Sequence, residues 1–268
     1  MSRIATQFEK LRGDGKKGFI PFVSAGDPDL ETSLSIVLKL ADRADVIELG
    51  VPFSDPMADG PTIQRSSQRA LANGVRVADV LSLAKSARRH TETPIVLFSY
   101  LNPLLRYGFD KLASDAADAG VDGILITDAV DAEAEQFADI LSNAGLDLIS
   151  LIAPTTSDER LEKIADRSSG FLYAVSRAGV TGAKAELSGE AEKLVQRARK
   201  FSDLPIAVGF GISTQDQISD VWRFADAAIV GSAIVSEIER STGSDPVSAV
   251  DAFVRGLVPQ FAKSGVEL

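Results

Sequence analysis

Cysteine is absent from this chain, and histidine and tryptophan each occur once in its 268 residues. Without thiols there is no disulfide, no thiolate nucleophile, no iron–sulfur cluster and no cysteine-ligated zinc. One histidine cannot build a multi-histidine metal site. It lies in Ala87-Arg88-Arg89-His90-Thr91, where it reads as a cation at the C-terminus of a helix. Positive charge is also short, with 28 Lys and Arg against 38 Asp and Glu, a net charge of −10. Such a surface repels phosphate backbones and argues against a nucleic-acid partner. No apolar run approaches the roughly 20 residues of a membrane span. The stretch from Met1 to Lys17 is polar and mixed in charge, without the apolar segment of a signal peptide. A cytoplasmic protein is the expectation, or a stromal one if it comes from a plastid. Whatever chemistry it performs must run on carboxylates, hydroxyls, lysines and backbone amides.

What is present is regular. A composition 45% hydrophobic and 25% charged is that of a globular chain, and its length suits one α/β barrel. Short apolar runs recur at Gly18–Ser24, Val46–Gly50, Ile95–Tyr100, Gly123–Thr127, Leu146–Ile152, Gly170–Val175, Ile206–Gly209 and Ala227–Val230. Most are continuous Ile, Leu and Val with little alternation, as in parallel strands buried on both faces. Between them the spacing turns helical, as at Asp29–Asp42, Asp158–Arg167 and Asp216–Phe224. Eight such alternations predict a (β/α)8 TIM barrel in a single domain over residues 1–268, with extra helices at the N-terminus and after the second strand. A doubly wound open sheet would usually carry a glycine-rich fingerprint after its first strand, and Ser24-Ala25-Gly26-Asp27-Pro28 is not one. The segment Pro61–Asn73 lengthens the second connection, and long connections in compact domains tend to be functional.

In a barrel the working groups sit at the C-terminal ends of the strands. Within Asp45-Val46-Ile47-Glu48-Leu49-Gly50, alternation puts Ile47 and Leu49 toward the helices and turns Glu48 into the barrel mouth. A carboxylate there must be neutralised by a buried Arg or Lys, or carry a raised pKa and a task. The following loop, Val51 to Pro61, adds Asp55 and Asp59 on a backbone stiffened by three prolines. Two carboxylates converging on one substrate suit proton transfer and stabilisation of positive charge. Across the mouth, the last three strands end in Gly179-Val180-Thr181-Gly182, Gly209-Phe210-Gly211 and Gly231-Ser232. Glycines there let backbone N–H groups approach an anion at a helix start, although each pair alone is also turn chemistry. A phosphorylated small substrate handled by carboxylates follows. A Schiff-base aldolase is disfavoured because Lys39, Lys85, Lys111, Lys163, Lys193 and Lys200 fall in helical stretches and Lys184 in a loop. A metal-dependent aldolase lacks its histidines.

The run Glu48-Leu49-Gly50-Val51-Pro52-Phe53-Ser54-Asp55-Pro56, followed by Ala58-Asp59-Gly60-Pro61-Thr62-Ile63-Gln64, closely resembles the tryptophan synthase alpha-chain signature. Matches continue in order through Pro21-Phe22-Val23, Tyr100-Leu101-Asn102-Pro103, Ala153-Pro154-Thr155-Thr156, Ser176–Gly182, Gly209–Ile212 and Gly231–Val235. The resemblance implies a lyase that cleaves indole-3-glycerol phosphate to indole and glyceraldehyde 3-phosphate at the end of tryptophan biosynthesis. By it, Glu48 is the catalytic acid and base, Asp59 holds the indole N–H, and Tyr173 is a further active-site hydroxyl. Phe22, Tyr100 and Leu101 would line the indole pocket, with core packing an equal alternative for each. Gly182, Gly211, Gly231 and Ser232 would hold phosphate, and Asp128 and Phe210 would also contact substrate. Arg177–Gly189 would be a lid that brings Thr181 near Asp59. The family's Asp-Leu-Pro after the fourth strand is replaced here by Asp128-Ala129-Val130. The resemblance further implies an α2β2 tetramer with a beta chain that carries the pyridoxal phosphate, this chain needing neither cofactor nor metal. Loop Phe53–Gly60 and helix Pro61–Asn73 would form the interface. A stand-alone lyase and a non-catalytic partner subunit are the alternatives, and retention of both Glu48 and Asp59 argues against the second.

Overall fold

The computed structural model describes residues 1–129, 131–175, 184–209 and 211–258, without the side chains of residues 131, 132 and 184–188. Eight parallel strands close into a barrel in sequence order: β1 (Gly18–Ser24), β2 (Ile47–Gly50), β3 (Ile95–Ser99), β4 (Gly123–Ile126), β5 (Asp147–Ile152), β6 (Leu172–Val175), β7 (Ile206–Gly209) and β8 (Ala227–Val230). The (β/α)8 expectation is met, strand by strand, to within two residues at each end.

Helix α1 (Arg3–Gly13) precedes the barrel; α2 (Leu30–Ala41) follows β1; α3 (Pro61–Ala72) and α4 (Val77–Arg88) follow β2. Helices α5 (Leu101–Tyr107), α6 (Phe109–Asp118), α7 (Asp131–Asn143), α8 (Asp158–Arg167) and α9 (Lys184–Ala198) serve the next four connections. Helices α10 (Gln215–Val221), α11 (Ser232–Ser241) and α12 (Pro246–Leu257) complete the ring. Lys184 therefore opens a helix, where the sequence suggests a loop. No helix among the described residues is long and apolar enough to cross a membrane.

Strand alternation divides the core in two. Ile47, Leu49, Ile124 and Ile126 join the layer beneath the helices, while Ile20, Val46, Val96, Leu125, Ile149 and Ala227 fill the barrel. Helix α1 plugs the barrel floor. Ser2 caps it through Ala5 N–H, and Ile4, Phe8 and Leu11, one helical face, pack inside the strands, with the Phe8 ring 5.8 Å from that of Phe171.

The floor also carries a repeated device. A polar side chain just before each even-numbered strand accepts the backbone N–H at the start of the strand before it. Asp45 Oδ2 takes Phe19 N–H at 2.8 Å, Asp122 Oδ2 takes Ile95 N–H at 2.8 Å, Ser169 Oγ takes Leu148 N–H at 3.0 Å, and Asp226 Oδ2 takes Ile206 N–H at 2.9 Å. The three carboxylates hold further donors. Asp45 accepts from Gln7, Asp226 from Arg199, and Asp122 from both Arg3 and Arg88. Arg88 reads in the sequence as part of a basic helix end. In the structure it is largely buried, bound also to the carbonyls of Thr91, Thr93 and Gly120.

Candidate active site

At the opposite end the charges are not matched. Glu48 sits on β2 opposite Phe22 of β1 and Val96 of β3, two residues beyond inward-facing Val46. It is 1% exposed, and neither carboxylate oxygen has a hydrogen-bond partner. Burial alone pushes its pKa up to about 8. At neutral pH it holds a proton, and no Arg or Lys among the described residues neutralises it.

The second carboxylate comes from the loop after β2. Tyr100, at the end of β3, hydrogen-bonds Asp59 and accepts Ala58 N–H on its hydroxyl at 2.9 Å. The Phe53 ring leans on the Tyr100 ring, with centroids 5.2 Å apart. Gln64 of α3 donates to the Asp59 carbonyl at 2.9 Å. Gly60 then caps α3 with Pro61 as its first residue, a position where the missing N–H costs nothing. Burial raises the Asp59 pKa to about 6, against the lowering effect of the Tyr100 hydroxyl. Asp59 is thus an anion near neutrality, and Glu48 an acid.

Beside Glu48 runs an aromatic wall. The Phe22 and Phe98 rings meet edge-on at 5.3 Å, and Phe98 and Tyr173 at 6.3 Å. Glycines make room for it. A Cβ on Gly50 would lie 2.5 Å from Phe22 Cζ, and one on Gly209 2.3 Å from the Tyr173 hydroxyl. Burial, together with the charges of Glu48 and Asp59, holds the Tyr173 phenol well above its usual pKa, so it is neutral. Thr127 continues β4 two residues beyond inward-facing Leu125, and its hydroxyl oxygen is buried with no hydrogen-bond partner.

Across the mouth, Gly231 caps α11 and Ser232 begins it, so the unpaired N–H groups of its first turn open toward the mouth. A Cβ on Gly231 would sit 3.4 Å from Phe22 Cβ, placing this end beside the aromatic wall. Gly211 has φ of +77°, a conformation that favours glycine. These groups can bind an anion at the mouth into which Glu48 points.

The structure thus gathers Glu48, Asp59, Tyr173, Phe22, Tyr100, Gly231 and Ser232 around one mouth, with exposed Gly211 at its rim. Leu101 and Asp128 behave otherwise: Leu101 packs on the outer layer, and its N–H donates to the Asp128 carboxylate at 2.7 Å, a cap for α5. Thr181, Gly182, Phe210 and residues 177–183 of the expected lid lie outside the described residues. Sequence reasoning passed over Phe98, Phe53 and Thr127. Inward register from Val96 and Leu125 was the available signal for Phe98 and Thr127.

The family model for the tryptophan synthase alpha chain matches residues 8–257. The alpha chain of Citrifermentans bemidjiense is 46% identical over 96% of this chain and 97% of its own length. That of Caulobacter vibrioides is 51% identical over 88% of this chain and 87% of its own. Among solved structures, the alpha subunit of Legionella pneumophila superposes with a TM-score of 0.88 at 39% identity, covering 96% of this chain and 97% of that one. Tryptophan synthase from M. tuberculosis in its aminoacrylate-bound form gives 0.86 at 34% identity, over 97% and 100%.

Proposed function

This chain belongs to the tryptophan synthase alpha chain family, lyases that cleave indole-3-glycerol phosphate to indole and glyceraldehyde 3-phosphate in tryptophan biosynthesis, and we propose that Glu48 and Asp59 carry out the cleavage. The observation behind the assignment is a buried, unpartnered carboxylic acid that holds its proton at neutral pH, aimed into the mouth. Glu48 gives that proton to indole C3, and the ring becomes cationic. Asp59 accepts the indole N–H and stabilises the cation. The bond from C3 to the glycerol chain then breaks, its electrons returning to the ring. The hydroxyl on the departing carbon loses its proton to Glu48 and becomes the aldehyde. Glu48 ends protonated, as it began.

The phosphate is held by the α11 N-terminus through Gly231 and Ser232, with Gly211 at the rim. Phe22, Phe98 and Tyr173 flank the indole, with Tyr173 a neutral hydroxyl near Glu48. A beta chain is the partner that family membership implies. We place it on the loop Phe53–Gly60 and α3, where Met57, two residues before Asp59, is 94% exposed. The assembly is an α2β2 tetramer in the cytoplasm, with pyridoxal phosphate on the beta chain and none on this one. Asp128 serves the site indirectly, by fixing α5 behind Tyr100.

Indole release from indole-3-glycerol phosphate, measured with and without a beta chain, tests the reading. Slow turnover accelerated many-fold by the partner supports it. Fast turnover indifferent to the partner points to a stand-alone lyase, and none in either condition overturns the catalytic assignment.

A further inference from the structure

Buried side-chain atoms without a hydrogen bond are few among the described residues: Arg43 Nε, Arg167 Nε, both oxygens of Glu48 and Thr127 Oγ1. The two guanidinium groups are engaged elsewhere, Arg43 with Asp251. Glu48 and Thr127 remain, both at inward positions of the C-terminal barrel end, on β2 and on the continuation of β4. A hydroxyl shut away from water and left unpaired is costly unless something fills it, and a valine of the same shape would avoid the cost. What fills Glu48 is substrate. We propose that Thr127 likewise offers its hydroxyl to the ligand, at the benzo edge of the indole pocket, and lets this enzyme accept indoles that carry a ring hydroxyl.

The inference rests on the proposed placement of substrate, and the topology fixes which part of it Thr127 meets. Phosphate lies at the start of α11, after β8. In a closed ring of eight strands β4 stands diametrically across from β8. The pairing of Ser99 with Ile126 brings Thr127 beside Tyr100, whose hydroxyl holds Asp59. A substrate anchored by phosphate at β8, with its N–H on Asp59, points its six-membered ring at β4 and keeps its glycerol hydroxyls on the other side. Plain indole has one polar hydrogen, already given to Asp59, and its carbon edge can neither donate nor accept. The substrate can pair with the Thr127 hydroxyl only if that edge carries a polar substituent. The aromatic wall, Phe22, Phe98 and Tyr173, stands on other strands, and the neighbouring Tyr100 hydroxyl is already engaged with Asp59 and Ala58 N–H.

The reverse reaction provides the test, since it takes indoles directly. The ring C3 adds to the aldehyde carbon of glyceraldehyde 3-phosphate, the C3 proton leaves and the aldehyde oxygen gains one. Rates are measured for the full chain with its beta chain, serine omitted, using indole, 5-hydroxyindole and 6-hydroxyindole. For at least one hydroxyindole, the ratio of its kcat/KM to that of indole falls about fivefold to tenfold in Thr127→Val, the worth of one neutral hydrogen bond. In Thr127→Ser, which keeps the hydroxyl, the ratio stays within about twofold of the parent. The ligand-free Thr127→Val protein melts no lower than the parent. Unchanged ratios for both hydroxyindoles overturn the proposal and leave the hydroxyl to water. A lower melting temperature with unchanged ratios overturns it in favour of a structural partner. Failure of the parent to condense indole itself overturns the reaction assigned above, and this proposal with it.

Discussion

The two ends of this barrel treat the same functional group in opposite ways. At the floor, Asp45, Asp122 and Asp226 each accept a strand N–H and at least one further donor, so their carboxylates are hydrogen-bonded and they tie neighbouring strands together. At the mouth, Glu48 is as deeply buried as Asp45 and Asp122 and has no hydrogen-bond partner among the described residues. Carboxylates buried with partners hold a structure together; one buried without a partner loads the fold with a cost and gains reactivity in exchange. Burial raises the Asp122 pKa as well, but Arg88, Arg3 and the Ile95 N–H oppose the shift, whereas nothing opposes it at Glu48. Partners, rather than depth, separate a structural acid from a catalytic one here.

Substitutions can break that contrast from either end. Glu48→Gln keeps size and polarity but cannot carry a proton, so indole release falls by ~10² to 10⁴ while the protein stays folded. Near-parental turnover would remove Glu48 from the mechanism. The same variant changes how stability depends on pH. The folded Glu48 binds its proton more tightly than the unfolded chain does, with a pKa of about 8 against 4.5. Between those values the folded state retains a proton that the unfolded state has lost, so stability declines as pH rises across the window, by up to about 5 kcal/mol. Urea melts at pH 5 and pH 9 should show that decline in the parent and its loss in Glu48→Gln.

At the floor, Asp122→Ala strands the Arg88 guanidinium and the Ile95 N–H. It should cost about 3 kcal/mol of stability, with kcat per folded molecule unchanged. A fall in kcat larger than the loss of folded protein would show that the two ends are coupled. Ser169→Ala, at the uncharged member of the quartet, should cost only about 1 kcal/mol. Catalysis itself sharpens the comparison through its pH profile. Asp59 must be ionised and Glu48 protonated, so kcat/KM should rise through pH about 6 and fall through about 8. A profile flat between 5 and 9 would detach both groups from the chemistry.

Much of this was legible before any coordinates. Parallel strands buried on both faces announce themselves as continuous apolar runs, which is why all eight could be located, and alternation within Val46–Leu49 turned Glu48 inward. The Asp59 loop was marked by its prolines and acids. What local pattern could not show is pairing over distance. The contact of Tyr100 with Asp59 spans the loop, two helices and a strand, and Arg88 reaches Asp122 across another connection. Each floor cap joins residues more than twenty positions apart or close to it, with no local motif beyond an Asp or Ser before a strand. Register from Leu125 holds the side Thr127 faces, a signal passed over, and only the assembled barrel shows that its hydroxyl has no hydrogen-bond partner among the described residues.

The floor quartet has a consequence for how the chain can be cut. Every cap joins an odd strand to the next even one, so each β1–β2, β3–β4, β5–β6 and β7–β8 pair carries its own fastener. Severing the backbone between β4 and β5 leaves two halves, each with two intact fasteners. Severing it between β5 and β6 puts Ser169 and Leu148 on different pieces. Co-expressed halves split after β4 should therefore reassemble more readily than those split one strand later, and the barrel is in this sense modular in steps of two.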